Sequence, residues 1–302
     1  MHITDAEKAM MCLRRIGYYR LSAYWYPFRK LIRHPDNLHA VRRTDDFVDG
    51  TFFDEVVDFY VFDKELRLLL LDPLERIEIA LRSNIADLLG LRNNWAHREA
   101  AELDGNFITK ASNRKHQLTR HQDWLVEQDN NFNRSREDFA LHYRDKYLPP
   151  PPIWVAKEVW DWGMLSHFFS GMKHADKNAI AAQYSPQATG RNMASWIRAM
   201  NDVRNICAHH SRLWNRGLKV EPTLPKGVNV PDLDHIRGNT HSLNRLYGAA
   251  LVMRYIMQKL HPNSQWHVRF RTLVLTKAPT NSIIDQKSAG FPNGWETLPI
   301  WL

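Results

Sequence analysis

Apolar residues recur at three- and four-residue steps along most of this chain, the period of a helix with one buried face. The clearest run lies between Phe52 and Leu89: Val56, Phe59, Tyr60, Phe62, Leu66, Leu69 and Leu70, then Leu74, Ile77, Leu81 and Ile85. Pro73 interrupts it, and a proline lacks the N–H of a helical turn. The run therefore predicts a kink or two abutting helices near Asp72, with Gly90 as C-cap. Residues 5–32 predict an aromatic-rich helical stretch, closed by a turn at His34-Pro35-Asp36-Asn37. Residues 100–148 are polar and mixed and read as a helical insertion plus a long loop. Pro149 to Pro152 then impose an extended polyproline segment. Further helices are expected from Ile153 to about Lys173, from about Asn192 to Trp214, and from about Thr240 to Leu260. Pro222, Pro225, Pro231, Gly227 and Gly238 make 219–240 a loop, and the last forty residues are a turn-rich clamp on the surface. No strand alternation is sustained and no repeat recurs. The predicted class is all-α: an N-terminal helical block (1–45) packed on the core, a helical domain (46–260) with an insertion at 100–152, and a C-terminal extension (261–302).

Composition narrows the setting. With 44% hydrophobic and 25% charged residues, the chain can bury a core and is not disordered. Cys12 and Cys207 cannot form a disulfide framework, which points to a reducing compartment. No run approaches 18 apolar residues, and Met1-His2-Ile3-Thr4-Asp5 lacks the order of a signal peptide. A cytoplasmic location without a membrane partner is expected.

Charge is distributed unevenly. The net +8 leans toward an anionic partner. Residues 51–100 hold 6 basic and 10 acidic residues, whereas 191–260 hold 11 basic and 4 acidic, a balance of +7. A solvated face accounts for such a run as well as a binding surface does, so the helix inside it decides. There Met193, Trp196, Ile197, Met200, Val203 and Cys207 form one apolar stripe, while Arg198, Asp202, Asn205 and His209 share another side. Arg204 projects beside the stripe, where a guanidinium is costly unless paired, with Glu158 as one available carboxylate. An arginine can stabilise a developing oxyanion, and a histidine titrates near neutrality and can move a proton. Asn205 lies four residues before His209 and can orient its imidazole. That equipment suffices to cleave RNA without a metal, using the substrate's own 2′-hydroxyl as nucleophile. Arg204 and His209 are the candidate catalytic pair with Asn205 between them. Arg198, His210, Arg212 and Arg216 are the candidate RNA contacts.

The segment Arg204-Asn205-x-Cys207-Ala208-His209-His210-x-Arg212-Leu213-Trp214-Asn215 resembles the signature of the Abi-like abortive-infection proteins of the HEPN superfamily. Ile16-Gly17-Tyr18-Tyr19-Arg20-Leu21-Ser22-x-Tyr24 resembles that family's N-terminal block. Tyr60-x-Phe62-Asp63-x-Glu65-Leu66-Arg67 with Glu75-Arg76-Ile77-Glu78 resembles its long central helix. Pro152-x-Trp154 through Glu158, Trp162-Gly163 and Leu165-Ser166 resemble the block before the motif. The likeness covers about residues 3–260. One departure is that family members usually carry a short helical segment ahead of the Tyr-rich block. The resemblance implies a HEPN-like helical bundle and a metal-independent endoribonuclease that arrests growth in phage defence. It assigns the functional pair to Arg204 and His209, and the polar residue after the arginine to Asn205. It also implies a structured small RNA as a restraining partner, and a homodimer whose two motifs build one composite site.

Other signals are weaker. Arg92 and His97 repeat the Arg-x4-His spacing and offer a second half-site within one chain. Cys207, His209 and His210 lack a second pair at zinc spacing, so no metal site and no cofactor are expected. Tyr18, Tyr19, Tyr24, Trp25, Tyr26 and Phe28 alternate with Arg14, Arg15, Arg20, Arg29 and Lys30, a mixture that serves base stacking or core packing. Two rivals to the nuclease stand: a non-catalytic RNA-binding module and a dimeric interaction protein.

Overall fold

The aromatic N-terminal stretch does not run as one helix. The computed structural model describes residues 1–34, 37–112 and 117–302. In it α1 (Ala6–Ile16) and α2 (Tyr18–Trp25) are separated by Gly17 at φ 92°, a conformation open to glycine and costly for other residues. Pro27 then ends α2 in a 3-10 turn (Tyr26–Phe28). The chain leaves as an antiparallel hairpin of β1 (Arg29–His34) and β2 (Asn37–Phe47). The helix expected to reach residue 32 thus stops at Trp25, because Pro27 has no N–H to continue it. Arg43 roots the hairpin, donating from Nη1 to the carbonyls of Pro27 and Arg29 at 2.6 and 2.8 Å. Of the expected turn, Pro35 and Asp36 lie outside the described residues. Among the described residues this pair is the only sheet, and the fold is all-α.

The central element is α3 (Phe53–Gly90), one continuous helix of 38 residues. No second helix begins at Pro73. The proline orphans the carbonyl four residues earlier, and the Trp266 indole N–H donates to that Leu69 oxygen at 2.8 Å. A long-range partner thus supplies the bond that local sequence removes.

The insertion is helical as expected, with α4 (Gly105–Thr109), α5 (Arg120–Arg134) and α6 (Asp138–Lys146). The single helix expected from Ile153 to Lys173 is broken into α7 (Ile153–Ala156) and α8 (Trp162–Gly171). Asp161 causes the restart by accepting the Met164 N–H at 2.9 Å as N-cap. Next come α9 (His174–Tyr184) and α10 (Gly190–Ala208). The proline-rich loop holds only α11 (Pro231–Asp234), and the last predicted helix divides into α12 (Thr240–Leu243) and α13 (Leu246–Leu260). The C-terminal segment carries a full helix, α14 (Trp266–Lys277), which the turn-rich reading missed.

One core takes side chains from Ala9 to Trp301 and so draws on all three sequence segments. From Leu246 to Met257, α13 is buried almost all round except at Tyr255, lying against α3, α9 and α10. Beyond α14, Phe291, Trp295 and Trp301 join Phe270 and Tyr247 in an aromatic cluster. The expected clamp is therefore a packed wall of the core. Among the described residues no helix is long and apolar enough to cross a membrane.

Candidate active site

The site grows from the C-terminal end of α10. Thr189 caps its start, accepting the Asn192 N–H, and the apolar stripe from Met193 to Cys207 is buried as predicted. Burial pushes the Cys207 thiol up to about 12, which leaves it a neutral packing group. The helix ends at Ala208, six residues before the expected Trp214. His210 adopts a left-handed φ of 55°. Its N–H donates to Cys207 O and the Ser211 N–H to Ile206 O, both at 3.0 Å. This is a Schellman closure with histidine where glycine is usual, a strained conformation held by its surroundings.

Those surroundings are a buried ion pair on α3. Asp63 is fully buried, and its carboxylate accepts the Leu213 N–H at 3.1 Å and the Trp214 N–H at 2.8 Å. It also accepts the Tyr24 hydroxyl at 2.8 Å and the Arg67 guanidinium. Arg67 donates further to Tyr24 Oη at 2.7 Å and to Ser211 O at 3.3 Å. Burial pushes the Asp63 carboxyl up, opposed by the Arg67 charge and the donated hydrogen bonds. Arg20 on α2 adds a bond to His210 O at 2.8 Å. On the far side Trp214 stacks on Phe291 at 5.4 Å and donates from its indole to Ile284 O at 2.7 Å. The loop after the helix is thus bolted to α2, α3 and the C-terminal wall.

This bolting opens a cleft of about 570 Å³ between α2 and the loop. His209, His210, Arg212 and Arg216 line one side, and Arg20 and Tyr19 the other. His209 and His210 are exposed, and Tyr19 is 88% exposed. Arg212 is half-buried, its pKa pushed down by burial, and its Nη1 is buried without a partner. No carboxylate lines the cleft. Cations, exposed imidazoles and a tyrosine ring on one wall make a surface suited to a phosphate flanked by a base.

The other predicted residues stand apart. Arg204 is half-buried and outside the His209 cleft. Its Nη1 donates to Asn205 Oδ1 at 3.2 Å, and its charge acts on Glu78, whose carboxyl burial pushes up. Glu158, named as one carboxylate available to Arg204, pairs instead with Lys157 at 2.5 Å. Asn205 donates to Asn201 Oδ1 at 3.3 Å, so its amide serves Arg204 and Asn201 in place of the His209 ring. Arg198 lies on a different cleft, with Lys177 and Arg191. The candidate RNA contacts Arg198, Arg212 and Arg216 do not share one helix face, because α10 stops before the last two.

The second Arg-x4-His pair is structural. Arg92 is held by Asp176 at 2.6 and 2.8 Å and by Glu102. His97 is fully buried beside Trp124 and Trp160 with both ring nitrogens unpaired. Burial lowers its pKa from 6.5 to about 3. A depressed value means its stabilising contribution is complete above 6.5 and is lost as pH falls toward 3, by about 1.4 kcal/mol per pH unit. His97→Phe is therefore expected to flatten the acid side of the stability profile, read as a smaller drop in urea midpoint between pH 7 and 4.5. An unchanged drop would refute it.

Among the described residues no group of three His, Cys, Asp or Glu side chains is placed to hold a metal. Sequence reasoning missed Asp63, Arg67 and Arg20 as supports of the motif. The signal was present: Asp63 and Arg67 interrupt the apolar face of α3 at an i,i+4 spacing, which on a buried stripe marks a paired charge. The family model described as Abi-like protein matches residues 11–215, about two-thirds of the chain. Neither a curated protein nor a solved structure matches it.

Proposed function

The chain belongs to the Abi-like protein family, which suggests an abortive-infection type of function, and from that premise we propose a metal-independent endoribonuclease of HEPN type. The observation that carries the reading is the cleft, where His209 and His210 meet Arg20, Arg212 and Arg216 beside an exposed tyrosine, with no carboxylate among them. In the proposed reaction the RNA 2′-oxygen attacks the adjacent phosphorus and loses its proton, and the 5′-oxygen leaves with a proton. The products are a 2′,3′-cyclic phosphate and a 5′-hydroxyl. His209 moves a proton, and Arg204 stabilises the charge on the phosphorus oxygens. A structured small RNA is the proposed restraining partner.

Arg204 sits outside the cleft that His209 lines, and about 140° of helix turn separates the two, which works against both groups of one chain meeting one phosphate. A homodimer resolves this, with one copy's Arg204 acting beside its partner's His209 across a two-fold axis. The same position of Arg204 favours the rival reading, an RNA-binding protein without turnover, and the assay for the first reading separates the two. Cleavage is expected to survive EDTA, to yield 2′,3′-cyclic ends, and to fail on RNA with a 2′-deoxy group at the scissile nucleotide. Activity lost on chelation and restored by a divalent metal rejects the mechanism; binding with no cleavage selects the rival.

A further inference from the structure

The first half of α10 and the elements beside it carry a second concentration of positive charge. Two adjoining open clefts, of about 530 and 230 Å³, share His174 and Arg191. The first adds Lys226, and the second adds Lys177 and Arg198. No carboxylate lines either cleft. The nearest acid on α9, Asp176, is buried and taken by Arg92 at 2.6 and 2.8 Å. Arg191, Arg198 and Lys226 are exposed, and among the described residues none forms an ion pair.

The helix crossing brings Lys177 of α9 beside the start of α10, which carries Arg191. A Cβ on Gly190 would fall 2.4 Å from Lys177 Cβ and 2.8 Å from the Lys177 carbonyl carbon, so α9 and α10 touch there. Asn178 accepts the Gly190 N–H at 2.7 Å, and the Lys177 ammonium is held by Ser170 O at 3.1 Å. The backbones that carry Lys177 and Arg191 are therefore held close together. Asp104 offsets part of the charge at Lys177, but the exposed Arg191, Arg198 and Lys226 form no ion pair among the described residues. Like charges gathered there repel one another, and a run of phosphates relieves that cost.

We propose that this cluster is an exosite for single-stranded RNA phosphates, with Arg191 and Arg198, about 27 and about 16 Å along α10 from His209, gripping the strand together with Lys226 and Lys177. The inference rests on the nuclease reading for the identity of the strand. It separates the cations into two grips, one at the C-terminal end of α10 and one along its first half and the neighbouring α9. RNA long enough to reach both binds tightly, and RNA that fills only the His209 cleft does not use the second.

The test compares oligoribonucleotides of about 4 and about 20 nucleotides on His209→Ala protein, which leaves the RNA uncut, over a range of salt. Added Arg191→Glu and Lys226→Glu are expected to weaken the long RNA at least about tenfold, and to make its log K against log salt shallower by about 1.4, at about 0.7 per lost contact. Affinity for the short RNA, and its cleavage with His209 intact, are expected to stay unchanged. Thermal melting checks that the double variant is folded. Unchanged long-RNA affinity, or equal loss for both lengths, overturns the exosite while wild-type cleavage of RNA leaves the nuclease reading standing. Wild-type protein that neither binds nor cleaves RNA of either length overturns both, and an acidic peptide bound in its place identifies a different partner.

Discussion

Arg204→Ala and His209→Ala are each expected to lower RNA cleavage by about 10²–10⁴, the range for losing a charge stabiliser or a proton-transfer group. Both should leave the fold intact. His209 is exposed at the helix cap, and Arg204 makes one 3.2 Å bond to its neighbour while Glu78 keeps Arg82 at 2.9 Å. Melting temperatures within a few degrees of wild type check this. Growth arrest on expression should disappear with cleavage. Mixing the two inactive variants adds a sharper readout, because a shared site regains a fraction of undamaged Arg–His combinations in mixed dimers. Undiminished cleavage by both single variants would place the chemistry elsewhere. A fully active monomer of 35.5 kDa would sink the shared site.

Asp63→Ala is expected to cost about 3–5 kcal/mol, because it strands the Arg67 guanidinium in the core. It also orphans the Leu213 and Trp214 N–H groups, which now meet one carboxylate at 3.1 and 2.8 Å. The damage should centre on the motif loop, so amide exchange at Leu213 and Trp214 should rise well beyond that in α13. Adding Arg67→Met removes the stranded charge and should recover part of the stability without restoring the loop, since its N–H partners are still missing. Urea unfolding of the three proteins checks the sequence of values. A single variant within about 1 kcal/mol of wild type would mean that the ion pair is not what holds the loop.

The apolar period determined where most helices lie. The stripe from Val56 to Ile85 is the buried face of α3, and that from Met193 to Cys207 is the buried face of α10. The motif from Arg204 to Asn215, the charge of its stretch, and the likeness to the Abi-like family were legible in the same way, since each is local in sequence or additive along it. What lay beyond that reach depends on partners distant in sequence. Pro73 reads as a break, yet α3 continues because Trp266 reaches the orphaned Leu69 carbonyl from 197 positions away. The motif reads as helix to Trp214, yet the chain leaves α10 at Ala208, because Asp63, 150 positions earlier, offers the Leu213 and Trp214 N–H groups a buried acceptor. That early exit swings Arg212 and Arg216 to the cleft and leaves Arg198, midway along the helix, on a separate cleft with Arg191. Periodicity records which face of an element is buried. Where an element stops, and which side chains meet across the fold, is decided by hydrogen-bond partners that only the folded chain brings within reach.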